Sequence, residues 1–81
     1  MKILKFYAEW CGPCKMLSKM MENMGDLGVE VVNVDVDNDQ EVAIRYGIRG
    51  VPTMVVVDDE GKEVRRKVGM MSEAELRVLI S

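Results

Sequence analysis

Two cysteines, Cys11 and Cys14, are the residues of this chain most able to do chemistry. Two residues apart, their sulfurs can come within bonding distance if the segment turns into a helix between them. Such a pair carries two electrons, held as two thiols or given up as one disulfide, and exchanges them with other disulfides through thiolate attack. Other uses of the pair fit less well. The chain has no histidine, and two thiols make half of a structural zinc shell. Haem attachment needs histidine at position 15, where Lys15 stands. A metal or iron–sulfur site shared across a dimer stays open as an alternative, as does Cys14 as a small buried hydrophobe with Cys11 a chance neighbour.

A thiolate needs stabilising, and the elements around the pair supply a means. Ile3 to Ala8 reads as a strand buried on both faces, with Lys5 anomalous in its middle. From Cys14 to Met24, apolar residues at 14, 17, 20, 21 and 24 have helical spacing; Pro13 suits the first turn and Gly25 a stop. The pair therefore sits where a strand hands over to a helix, at unpaired N–H groups and the positive end of the dipole. Cys11 is expected to be the exposed nucleophile and Cys14, one turn inside, the resolving thiol.

The rest of the chain completes an α/β pattern. Val29 to Val36 alternates as a second strand, and Asn38 or Asp39 can cap a short helix through Tyr46, ended by Gly47. Thr53 to Val57 is continuously apolar and so a central strand; Asp59-Glu60-Gly61 turns into a fourth strand, Lys62 to Val68. Ser72-Glu73-Ala74-Glu75 fits a capping box before a helix carrying Leu76, Leu79 and Ile80. The expected fold is β-α-β-α-β-β-α, a four-stranded mixed sheet flanked by helices, with a right-handed βαβ unit followed by an antiparallel hairpin.

Composition bounds what this fold can be used for. Eighty-one residues make one domain, 1–81. Apolar residues at 48% and charged ones at 31% are globular values. One core of this size supplies roughly 3–5 kcal/mol, and a Cys11–Cys14 bridge adds about 2 kcal/mol at most, its loop being so short. A net charge of −3 argues against nucleic acid. No apolar run approaches the roughly 18 residues of a membrane span, and the charged Lys2 and Lys5 break any signal-peptide core. The expected setting is a reducing cytoplasm, and a monomer is expected.

Ala8-Glu9-Trp10-Cys11-Gly12-Pro13-Cys14-Lys15-Met16 resembles the active-site segment of thioredoxins. Tyr46-Gly47-Ile48-Arg49-Gly50-Val51-Pro52-Thr53 is similar to the family stretch that ends in a cis-proline, and Lys67-Val68-Gly69 to a third, shorter segment. The resemblance covers nearly the whole chain from Ile3, without the initial strand and helix of a full-length member. It implies a thioredoxin-like fold and a dithiol–disulfide oxidoreductase acting on protein disulfides, re-reduced by a thioredoxin-reductase-type donor, with no bound cofactor. Cys11 attacks and Cys14 resolves. Trp10, Gly12 and Pro13 shape the rim, Val51 and a cis Pro52 face the dithiol, and Gly69 leaves room for an incoming chain. The backbone of Val51 then pairs with an extended substrate segment. Read without the family, Pro52 is a trans proline opening an edge strand and Trp10 a partly buried aromatic.

Lys5 departs from the family, which has a buried aspartate six residues before the nucleophile; the lysine that pairs with it is replaced by Asn33. A cation beneath the dithiol favours thiolates, stabilises the reduced form and raises the potential. In the competing reading, Lys5 reaches past the sheet edge to water and tunes nothing.

Other motifs read as structure. Met16, Met20, Met21 and Met24 fill the core, and one of Met70 and Met71 flanks the site. Asp35-Val36-Asp37-Asn38-Asp39 lacks the glycine and glutamate of a calcium loop and reads as a solvated strand end with a helix cap. Arg65-Arg66-Lys67, without interleaved aromatics, deters edge-to-edge strand pairing. Two rival functions stay open: a glutaredoxin-like enzyme recycled by glutathione, and a binding module whose thiols are incidental. The Gly12-Pro13 pair and the single Gly69 count against the first.

Overall fold

In a computed structural model describing residues Met1–Ser81, the chain runs β1 (Lys2–Tyr7), α1 (Gly12–Met24), β2 (Glu30–Asp35), α2 (Gln40–Arg45), β3 (Thr53–Val57), β4 (Glu63–Val68) and α3 (Glu73–Ile80). The four strands form one sheet of order β2-β1-β3-β4. β1 pairs with β2 in parallel, placing Lys5 opposite Asn33, and with β3 antiparallel, placing Lys5 opposite Met54. β3 and β4 form the antiparallel hairpin. The element order read from the sequence holds.

Alternation along β1 and β3 divides the core between the two faces of the sheet. Ile3, Met54 and Val56 pack with Leu17 and Met21 of α1 and Leu76 and Leu79 of α3. Leu4, Phe6, Val55 and Val57 pack on the other face with Ala43 of α2, where the rings of Phe6 and Tyr46 lie 6.0 Å apart at a tilt of 56°. Every residue of β3 is buried, as its apolar run requires.

Local chemistry sets the ends. The Asp58 carboxylate accepts from the N–H groups of Glu60 (2.9 Å) and Lys62 (3.0 Å), closing the β3–β4 turn. The capping box forms: Ser72 Oγ accepts from Glu75 N–H at 3.1 Å, and the Glu75 carboxylate accepts from Ser72 N–H at 2.9 Å. Arg65 donates to the carbonyls of Leu79 and Ser81, both at 2.6 Å, so acceptors left open by the last turn of α3 are filled from β4.

Three expectations need correction. α1 begins at Gly12, because Cys11 itself caps it. Asp39 stands at the N-cap of α2 but makes no side-chain cap; the Asp35 carboxylate orders the turn ahead of the helix, accepting from Asp37 N–H at 2.9 Å. Met16 points away from the core, two residues from Cys14 and so on the outer face of α1, and is 66% exposed, while Met20, Met21 and Met24 pack inward.

Candidate active site

Cys11 has extended backbone angles (φ −88°, ψ 106°) and occupies the N-cap of α1. Its Sγ accepts from the backbone N–H of Cys14 at 3.1 Å, the role an Asp or Ser oxygen usually plays there. Pro13 lies in the first turn, where its missing N–H leaves no bond unmade. No acidic side chain stands in that turn, so the positive end of the helix is left to the sulfurs. Cys11 and Cys14 are joined in a disulfide with their Cα atoms 5.3 Å apart.

Ala8 packs with the two cysteines, and Tyr7, Val36 and Val51 close around them. The expectation of an exposed Cys11 fails for this oxidised state: Cys11 is 4% exposed and Cys14 2%. Each sulfur spends one side on the other, and the surrounding apolar side chains take the rest.

The sequence-predicted residues fall around this pair. Trp10 is 72% exposed, with its indole N–H donating to the Asp37 carboxylate at 3.0 Å. Gly12 and Pro13 are exposed beside Cys11. Val51 packs against the pair, and the Val51–Pro52 peptide is cis, as the resemblance implies. The Pro52 carbonyl accepts from Gly69 N–H at 2.8 Å, which draws the β4 end to the same place. Gly69 has φ +86°, so its backbone calls for glycine, and the space where a side chain would start is open. Met71 enters the core and Met70 stays exposed.

Lys5 lies inside. It is 5% exposed, so the reading in which it reaches past the sheet edge to water is overturned. Its Nζ donates to Ser18 Oγ and sits 5.8 Å from the centre of the Tyr7 ring. Desolvation pushes the ammonium below the usual lysine range, and the Glu22 carboxylate opposes the shift. Sequence reasoning missed Ser18 and the tie to Asp37. Ser18 lies four residues after Cys14, hence on one helix face with it, and that spacing was the available signal.

A strand-to-helix turn that holds two bonded sulfurs at a helix N-terminus, with a cis-proline segment packed against them, invites comparison with known proteins. The family model for thioredoxin matches residues 1–81. The chain belongs to the thioredoxin family. It is 41% identical to a thioredoxin of Chlamydia trachomatis over 81 residues, covering 98% of this chain and 78% of that one. With a Bacillus subtilis thioredoxin the identity is 40%, over 94% of this chain and 75% of the relative. Among solved structures, a thioredoxin variant from Halobacterium salinarum superposes with a TM-score of 0.86 at 43% identity, covering 96% of this chain and 69% of that one. A Fasciola hepatica thioredoxin superposes at 0.84 with 39% identity, over 96% and 75%.

As a thioredoxin-family member the chain is a dithiol–disulfide oxidoreductase, with Cys11 and Cys14 as its redox pair. Membership implies protein disulfides as substrates and a reductase as partner. No helix is long and apolar enough to cross a membrane.

Proposed function

We propose that the protein reduces protein disulfides in the cytoplasm as a monomeric single domain, with Cys11 attacking and Cys14 resolving, and that a thioredoxin-reductase-type donor restores the dithiol. The Cys11 thiolate attacks one substrate sulfur; a new S–S bond forms, the substrate bond breaks, and the departing thiolate takes a proton. Cys14 then loses its proton and attacks Cys11 Sγ, which releases the second substrate thiolate and leaves the Cys11–Cys14 disulfide. Two electrons have passed to the substrate, and the donor returns two electrons while two protons come from water.

The observation that carries this assignment is the Cys14 N–H held on Cys11 Sγ at 3.1 Å. A donor aimed at one sulfur of the two, at the positive end of α1, favours the anion on that sulfur. Trp10, Gly12 and Pro13 form the rim that a substrate meets. Val51, packed beside the pair and followed by Pro52, and the open space at Gly69 support an extended substrate segment lying along Val51. Lys5 tunes the couple: its positive charge behind α1 favours thiolates and so the reduced form, and Lys5→Met lowers the potential.

Insulin reduction tests the reading. With NADPH and a thioredoxin reductase the wild-type protein catalyses precipitation of the insulin B chain, and Cys11→Ser abolishes it. Turnover with glutathione and glutathione reductase alone would point to the glutaredoxin-like alternative. Full biological activity of a protein lacking both cysteines would point to a binding module.

A further inference from the structure

Cys14, Ser18 and Glu22 recur every fourth residue along α1 and share one face. A cleft of about 360 Å³ runs along that face, lined by all three and by Tyr7. Behind it lies a second cleft of about 570 Å³, which holds Lys5 with Ser18, Glu22 and Asn33. Ser18 borders both.

An ammonium offers three donors and no acceptor. Because Lys5 Nζ donates to Ser18 Oγ, the serine oxygen is an acceptor for as long as Lys5 keeps its proton, and the hydroxyl proton must serve a different group. Helical side chains lean toward the N-terminus, over the preceding turn, and for Ser18 that turn holds Cys14. Once the disulfide is opened, the Cys14 sulfur becomes a charged acceptor, and hydrogen bonds to ions are the stronger kind.

We infer that Ser18 is the positioning residue that couples Lys5 to the resolving sulfur: the lysine proton orients the serine hydroxyl toward Cys14. The inference rests on the reading of Cys14 as resolving thiol. No bond is made or broken in the coupling; one O–H rotates. When Lys5 loses its proton its amine becomes an acceptor, the Ser18 hydroxyl turns back to it, and Cys14 loses its donor. Burial brings that change below the ordinary lysine range. The other groups facing Lys5 are Tyr7 on β1, Glu22 on α1 and Asp26 beyond it, with neutral Asn33 and Met54 on the neighbouring strands. Glu9, Lys15 and Lys19 stand along the Cys14 cleft.

Reduced protein reacted with dithiobis-nitrobenzoate forms a mixed disulfide at Cys11, and Cys14 then releases thionitrobenzoate at a rate set by its thiolate fraction. That rate is followed against pH. In Ser18→Ala the half-point of the profile rises by roughly one pH unit, in Ser18→Thr it stays with the wild type, and Lys5→Met raises it too. In the Lys5→Met background, where nothing orients the hydroxyl, Ser18→Ala raises the half-point by less than it does alone. A Ser18→Ala profile that superposes on the wild type, or a double variant whose shift is the sum of the two, overturns the inference. Should Lys5→Met not fold, Ser18→Ala against Ser18→Thr decides alone. If Cys14→Ser holds no thionitrobenzoate at Cys11, the assignment of the two sulfurs fails instead.

Discussion

The indole N–H of Trp10 donates to the Asp37 carboxylate across 3.0 Å and ties the residue before Cys11 to the turn that leaves β2. Asp35 holds that turn in place by accepting from the N–H of Asp37. A ring that is 72% exposed is therefore fixed in direction without being buried. In Asp37→Ala the ring is released: stability falls by about 0.5–1 kcal/mol, Trp10 fluorescence shifts, and insulin reduction slows several-fold. Asp37→Asn keeps an acceptor oxygen and recovers most of the rate.

At the other end of the chain, Ser72 and Glu75 cap α3 reciprocally. Ser72→Ala lowers stability by about 1 kcal/mol and the melting temperature by about 4–8 °C, read by circular dichroism.

Glu75 also sets a pH dependence. Its carboxyl is held below its usual value of 4.5, first by the Ser72 N–H and then by Lys67. A depressed carboxylate contributes stability above its unfolded value, and that stability is lost as pH falls through the folded one. Below about pH 4.5 the wild type loses stability more steeply than Glu75→Gln, in denaturant titrations across the acid range.

Much of this architecture is legible in the sequence because its signals are local. The apolar run Thr53–Val57, the spacing of Leu17, Met20, Met21 and Met24, and the Ser72/Glu75 box each report on residues a few positions apart. Cys11 and Cys14 are legible for the same reason. What the sequence hides is where long side chains reach. Lys5 meets Ser18 thirteen residues away and Trp10 meets Asp37 twenty-seven away, and no periodicity encodes either. The basic run reads as a guard against edge-to-edge pairing, and β4 does lie at the sheet edge; what the run does not reveal is that Arg65 fills the end of α3, Arg66 pairs with Glu63 and Lys67 with Glu75. The burial of Cys11 is hidden as well, since it depends on Val36 and Val51 closing over the disulfide from distant segments.

Leu17 is fully buried between α1 and the sheet. Leu17→Ala costs about 2–5 kcal/mol, comparable with the roughly 3–5 kcal/mol that one small core provides. The variant is largely unfolded at room temperature and inactive with both cysteines intact. Val78→Ala, at a position 72% exposed, stays within about 0.5 kcal/mol of the wild type.

Lys5 gives a slope of the same sign as Glu75, in the alkaline range instead of the acid one. Its folded value is depressed, so between that value and 10.5 the unfolded chain binds more protons and stability rises with pH. Relative to Lys5→Met, the wild type gains stability as pH climbs through the alkaline range, measured by denaturant unfolding.

In the reduced protein the reactive sulfur anion is assigned to Cys11. Reduced protein is treated briefly with iodoacetamide at neutral pH, quenched in acid, and the two cysteines are quantified by peptide mass spectrometry. Cys11 is expected to carry nearly all of the label while Cys14 stays free. Equal labelling of the two, or a preference for Cys14, contradicts the assignment.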